Sequence, residues 1–169
     1  MMSKVFHGAY AVAAIKTSKP VWTKAYDTWL IGQTVTDVVV SDWVAKGGKI
    51  DEKGGKSILN ANMPLGSAGR ADLLAMPVEE MKQKFLKVLE PRFPGLKENM
   101  VGMELYFYGH AMHVAFPGYV TEVSAKLAEP VEGKIFFAGA ELDLPAFESA
   151  IWSGFEAAKQ VRETVLSSQ

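Results

Sequence analysis

"GKIFFAGAELDLPAFESAIWSGFEAAKQV", residues Gly133 to Val161, is the stretch on which the fold turns. Its first part, "KIFFAGA" (Lys134–Ala140), is a continuous apolar run bounded by turn signals, which predicts a strand buried on both faces. An acidic turn follows, and Pro145 is placed to open a helix near 146–166. Phe147, Ala150, Ile151, Gly154, Ala158, Val161 and Val165 recur at helical spacing and predict one apolar stripe. Ala150, Ser153, Gly154 and Ala157 are small, so a neighbouring backbone or ring can come close. The helix N-terminus, near Phe147, Glu148, Ser149 and Ala150, would present free backbone N–H groups and a positive dipole end, which suit a reduced or anionic ring system. Glu141, just past the strand, can accept hydrogen bonds from sugar or polyol hydroxyls. A plain β–α packing unit satisfies the same pattern.

Upstream, the period is that of a sheet. "VFHGAYAVAAIKTS" is apolar, "VWTKAYDTWLI" alternates in part, and "TVTDVVVSDWVA" is rich in β-branched residues that stiffen an extended chain. "KGGKIDEKGGK" holds four glycines and six charges, can bury nothing, and reads as an exposed hairpin loop before the strand "SILNANMPL". Then the period changes. Pro77 opens a helix over 77–90, with Glu79 and Glu80 in its first turn and Val78, Met81, Phe85, Val88 and Leu89 on one face. Pro91 stops it. "ENMVGMELYFYGHAM" returns to an aromatic strand, "FPGY" is a turn, and "SAKLAEP" is a short helical piece. The expected fold class is α+β: a mixed, largely antiparallel sheet from residues near 5–65 and 99–116, with two main helices.

Composition removes several functions. Eighteen basic and 19 acidic residues leave a net charge of −1, which gives no electrostatic reason to expect nucleic acid or an anionic membrane. The absence of cysteine excludes disulfides, thiolate metal sites and a cysteine nucleophile. "GAYAVAAI" is too short for a signal peptide and no apolar run reaches the length of a membrane helix, so a soluble, cytoplasmic location is expected. His110 and His113 are three apart on a predicted strand and so point to opposite faces, which disfavours a metal site. Neither G-x-S-x-G nor a phosphate loop is present.

The terminal unit resembles the second FAD-binding motif of the flavin amine oxidase superfamily. Phe137, Ala138, Gly139 and Glu141 match the strand end and its acidic residue, and Ala150, Ser153, Gly154, Ala157 and Ala158 match the small-residue core of the helix. "YGHAMHVAFPGY" is similar to the stretch that precedes this motif in bacterial amine oxidase-like proteins. "AYAVAAIKTSKPVW" and "LNANMPLG" look like strands of their substrate-side domain.

The resemblance implies a substrate-domain-like region over 1–130 and a flavin-binding strand and helix over 131–169. It implies FAD as cofactor, with Gly139, Ala140, Glu141, Phe147, Glu148, Ser149 and Ala150 on the flavin side. Glu141 would meet the ribityl or adjoining pyrophosphate region. Tyr108, His110 and Met112 alternate along a strand and are candidates for the substrate cavity; ordinary sheet packing would place them equally well. Two features depart from the family. No G-x-G-x-x-G is present to hold the ADP part of FAD, and the turn "LDLPAF" lacks the glycine that many members carry near the helix start. The chain looks like half of a flavoprotein. Without Rossmann strands beside it, segment 134–165 would present a bare strand edge and an uncovered helix stripe. A homodimer, or a complex with a second FAD-binding subunit, is therefore expected there.

Overall fold

The computed structural model describes residues 4–48, 54–66 and 68–167. The chain forms two compact units: Gly8–Ala111, and a second that joins the segment ending at His7 to the chain from Met112 onward.

The larger unit is built on a five-stranded sheet. β1 (His7–Thr17), β2 (Asp27–Trp29), β3 (Asp37–Val40), β4 (Ser57–Gly66) and β5 (Met100–His113) lie in the order β2-β3-β4-β1-β5. β1 pairs antiparallel with β4, setting Ala11 against Met63, Ala13 against Ala61 and Ile15 against Leu59. β3 pairs antiparallel with β4 and β2 with β3. The bond from Ser18 N–H to the Asn99 carbonyl (2.8 Å) marks the start of β5 beside the end of β1. Burial alternates along β1, a segment whose sequence reads only as apolar. Ala9, Ala11, Ala13, Ile15 and Thr17 are buried while the residues between them are more exposed, as one face of a pleated strand requires.

The small side chains of β1 share one core with large ones from the helices. α3 (Val78–Leu89) contributes Met81, Phe85 and Leu89, and Phe93 and Leu96 follow it. Pro77 stands as the N-cap of α3, Glu79 and Glu80 occupy its first turn, and Arg92 donates from Nη1 to the Val88 carbonyl at 2.6 Å near its end. Leu96 begins the short α4 (Leu96–Asn99).

Three expectations need correction. "VWTKAYDTWLI" is mostly loop, with only Asp27–Trp29 in the sheet. The Trp22 indole N–H donates to Thr28 Oγ1 at 2.8 Å, and its ring packs edge-on against Phe93, which draws the segment off the sheet. "SDWVA" is not strand but a helical turn, α1 (Asp42–Ala45), because the Asp42 carboxylate gathers Ser57 Oγ (2.9 Å) and Lys46 Nζ (2.9 Å). Gly47 and Gly48 of the predicted hairpin loop adopt left-handed φ; its centre, 49–53, lies outside the described residues. α2 (Gly69–Ala75) is an additional helix for which the sequence pattern gives no warning.

The third correction concerns the second unit. "KIFFAGA" forms no strand. Only an isolated bridge between Val131 and Ile135 is present, and Ile135 and Phe137 are exposed. An apolar run buried on both faces needs neighbouring strands on both edges, and among the described residues none lies beside this one. The helix predicted at 146–166 is present as α6 (Phe147–Ser167), and its apolar stripe is uncovered, as expected for a helix without strands beside it. Ser149 and Ser153 are the buried residues of α6, whereas Phe147, Ile151, Trp152, Phe155, Val161 and Val165 are exposed. Between β5 and this helix run the "FPGY" turn, a π-helical turn (Tyr119–Ser124), α5 (Ala125–Leu127) and a 3-10 turn (Ala140–Leu142). None of the helices among the described residues is long and apolar enough to cross a membrane.

Candidate cofactor-binding turn

The turn between the apolar run and α6 is held from four sides. Gly139 has φ 157° and ψ 166°, a region open essentially to glycine alone. A Cβ at this position would fall 2.5 Å from Glu141 Oε2. Ser153, one turn into α6, reaches back: its Oγ accepts the Gly139 N–H at 2.9 Å and stands 3.0 Å from both the Gly139 and Ala150 carbonyls. Ser149 Oγ donates to Asp143 Oδ2 at 3.0 Å. From the π-helical turn, the Tyr119 hydroxyl donates to the Glu141 carbonyl at 2.9 Å, and Ser124 Oγ donates to the Leu142 carbonyl. Burial, reinforced by the Glu141 charge, pushes the Tyr119 hydroxyl up, which keeps it a proton donor.

The Glu141 side chain is the charged centre of this turn. Its own backbone N–H and the His7 imidazole hold the carboxyl below the usual carboxylate range; partial burial opposes them, and the fields of His7 and His113 add to the lowering. Oε1 lies 3.2 Å from His7 Nε2. His113 is buried, stacks on Tyr119 with ring centroids 4.8 Å apart, and has no hydrogen-bond partner at Nε2 among the described residues.

His7 and Glu141 line a cavity of about 250 Å³ walled by Val5, Leu127, Phe137 and Leu142. That is below the range of about 300–1,000 Å³ that encloses a whole small-molecule ligand. It has room for one part of a dinucleotide. A second hollow of about 370 Å³ runs along α6 past Asp143, Ser149, Trp152, Ser153 and Glu156. Among the described residues, neither is lined by lysine or arginine, and both carry carboxylates. A pyrophosphate would meet repulsion there, whereas hydroxyl groups would find acceptors. The two linings would therefore suit the hydroxyl groups of a ligand better than its phosphates.

Of the residues singled out from the sequence, Gly139, Ala140, Glu141 and Ser149 are gathered at this turn. Phe147 and Glu148 open α6 from exposed positions, and Ala150 donates its N–H to the Ala146 carbonyl at 3.3 Å. Tyr108, His110 and Met112 share an exposed face of β5. His110 and Phe107 border a separate hollow of about 340 Å³ with Leu73, Leu74 and Arg70, whose Nη1 stands 2.7 Å from His110 Nδ1. His110 is exposed and His113 buried, as opposite faces of a strand require. No group of three or more His, Asp or Glu that could hold a metal ion occurs among the described residues. Sequence reasoning missed His7, Tyr119, His113 and Asp143 as parts of the turn. The only local signal was the "FPGY" turn that delivers Tyr119.

No protein-family model matches the chain, and no curated protein matches it in sequence. Solved structures share its fold. Cyclohexylamine oxidase from Brevibacterium oxydans IH-35A superposes with a TM-score of 0.71 at 17% identity, over 96% of this chain and 37% of its own. A candidate protoporphyrinogen oxidase from Exiguobacterium sp. 255-15 matches with a TM-score of 0.67 at 13% identity, over 99% and 36% of the two chains. Putrescine oxidase bound to putrescine gives 0.64 at 16%, over 90% and 35%. The chain thus has an α+β fold found in oxidases of this amine oxidase-like group, and it spans a little over a third of the length of the structures it matches.

Proposed function

We propose that this chain is the flavin-side and substrate-side part of an FAD-dependent, amine oxidase-like oxidoreductase, completed by a subunit that carries the ADP-binding half. The observation that supports this reading above others is the Gly139–Glu141 turn at the head of α6. It combines a glycine-only backbone, a preset carboxylate and a helix N-terminus, in a fold matched along nearly its whole length by oxidases of amines. Flavin, when bound, supplies a two-electron acceptor for a C–H bond beside nitrogen. The protein's share is placement. Glu141 accepts hydroxyls of the ribityl chain, and Ser153 and Tyr119 keep the turn rigid. The first-turn N–H groups of α6, near Phe147, Glu148 and Ser149, meet negative charge on the ring. Tyr108, His110 and Met112 then belong to the substrate side.

The exposed face of α6 is where we place the completing subunit, over segment 134–165. Its aromatic residues make an apolar patch of a kind that soluble monomers seldom leave bare. One observation favours a second reading, a non-catalytic module that associates with its own copies and holds no flavin alone. Among the described residues, neither cavity has a lysine or arginine in its lining for the phosphates. Co-expression with polypeptides encoded beside it separates the two. Yellow material that releases flavin on denaturation, with a second chain present, supports the oxidoreductase reading; a colourless self-associated chain in every combination refutes it. The chain alone is expected to bind FAD weakly or not at all, and sub-micromolar affinity by fluorescence titration would contradict that.

A further inference from the structure

The Glu141 carboxylate is divided between two constraints that come from opposite ends of the chain. Oε1 lies against the Nε2 of His7, 134 residues earlier, and Oε2 lies over the bare Cα of Gly139, where a methyl group would come within 2.5 Å of it. The groups that face the carboxylate are His7 from β1, His113 from the end of β5 and Tyr119 from the π-helical turn; Asp143, on its own turn, is engaged by Ser149. A glutamate left to solvent samples several rotamers, and a ligand must order it before using it. This one is ordered in advance. The walls around it, Val5, Leu127 and Phe137, are apolar, so a hydrogen bond formed there competes with less water.

We propose that His7 is the positioning residue of this turn: its imidazole presets the Glu141 carboxylate toward the 250 Å³ cavity for a ligand that brings hydroxyl groups, the ribityl chain of a flavin nucleotide being the class that fits. The identity of that ligand rests on the cofactor reading above; the role of His7 does not. Tyr119 and Ser153 pin the backbone of the turn independently, through the Glu141 carbonyl and both polar groups of Gly139. Removing the imidazole therefore frees the carboxylate without undoing the turn.

The test follows the Glu141 carboxyl by carbon-detected NMR titration in the isolated protein, for wild type, His7→Ala, His7→Gln and Gly139→Ala. The carboxyl should titrate below the usual range in wild type and move upward in His7→Ala. His7→Gln keeps an N–H donor and should restore the low titration while removing any step that follows the ring. Gly139→Ala expels Oε2 and should move the carboxyl upward as well, which serves if His7→Ala fails to fold. In the flavin-bearing complex, His7→Ala should weaken flavin binding about tenfold, the scale of one charge-assisted hydrogen bond, with His7→Gln recovering most of it. A Glu141 titration unchanged in His7→Ala, or in Gly139→Ala where His7→Ala does not fold, would overturn the role of His7, as would equal flavin affinity in wild type and His7→Ala. The titration needs no flavin. Failure to find flavin in any complex would sink the cofactor reading and leave the titration results standing.

Discussion

The sheet unit and the terminal helix unit treat their apolar residues in opposite ways. In the first, Ala11, Ala13, Val38 and Phe85 are wholly buried in one core. In the second, α6 is the longest helix of the protein, with 21 residues, yet it leaves Phe147 78% and Phe155 68% exposed. The helix geometry shows that this is orderly. Positions 147, 151 and 155 form one row at i+4 spacing, and 149 and 153 form another. Two residues of separation turn a helix by about 200°, so the serine row and the aromatic row face opposite ways. The serines hold the turn, and the aromatics are left to whatever lies outside the chain. A sheet that pairs with its own neighbours closes its core by itself, whereas a helix that follows a lone apolar run does not.

That contrast can be broken or sharpened by mutation. The largest expected effect is in the sheet unit. Phe85→Ala should cost about 3–5 kcal/mol, because it opens a cavity in a closed core. Phe155→Ala, an equal truncation on the bare face of α6, should change the stability of the isolated chain by no more than about 0.5 kcal/mol. Urea unfolding of both variants decides, and similar losses would erase the distinction between the two units.

Next in size is association. Ile151→Asp places a charge in the exposed row of α6 and should abolish self-association or capture of a second subunit while leaving the fold intact. Light scattering at micromolar concentration reads the change. A wild-type chain that is already a clean monomer, with no partner retained on co-expression, would show that the stripe stays bare.

The smallest effect is electrostatic and compares one carboxylate from each unit. Burial opposes the Asp42 charge, but the Lys46 ammonium, Ser57 Oγ and the Ile58 N–H more than offset it and hold the carboxyl below its ordinary 3.8. Its stabilising contribution is present above that value and fades as pH falls through the lower folded value. Asp42→Asn should cost about 1–2 kcal/mol near neutral pH, and the gap from wild type should close on acidification. Glu141 is lowered too and has the same sign, but its side chain is 41% exposed, so Glu141→Gln should move stability less at every pH. Unfolding curves across the acid range measure both.

The legible and illegible parts of the sequence divide along the same line. The Pro77 start of α3 and the odd spacing of His110 and His113 are local patterns, and each is realised where the pattern puts it. "KIFFAGA" misled because an apolar run reports what a segment is suited to, not whether the strands that would bury it are supplied. The turn was readable as far as Gly139, Glu141 and Ser149, which the sequence singles out and the fold gathers there. His7 and Tyr119 were not readable. Nothing within a few residues of either distinguishes a side chain that meets Glu141 from one that meets water.

One hydroxyl group has a consequence for the phase of the helix. Ser153 Oγ meets both the N–H and the C=O of Gly139, so a single oxygen satisfies the two groups that an adjacent strand would have paired. Its neighbours cannot substitute: Trp152 carries only a donor, and Gly154 carries no side chain. Rotating α6 by one residue, about 100°, would break both bonds at once. The serine thus works as an indexing pin. It stands in for an absent strand, and by locking the angle of α6 it also fixes which row of aromatic residues is turned outward.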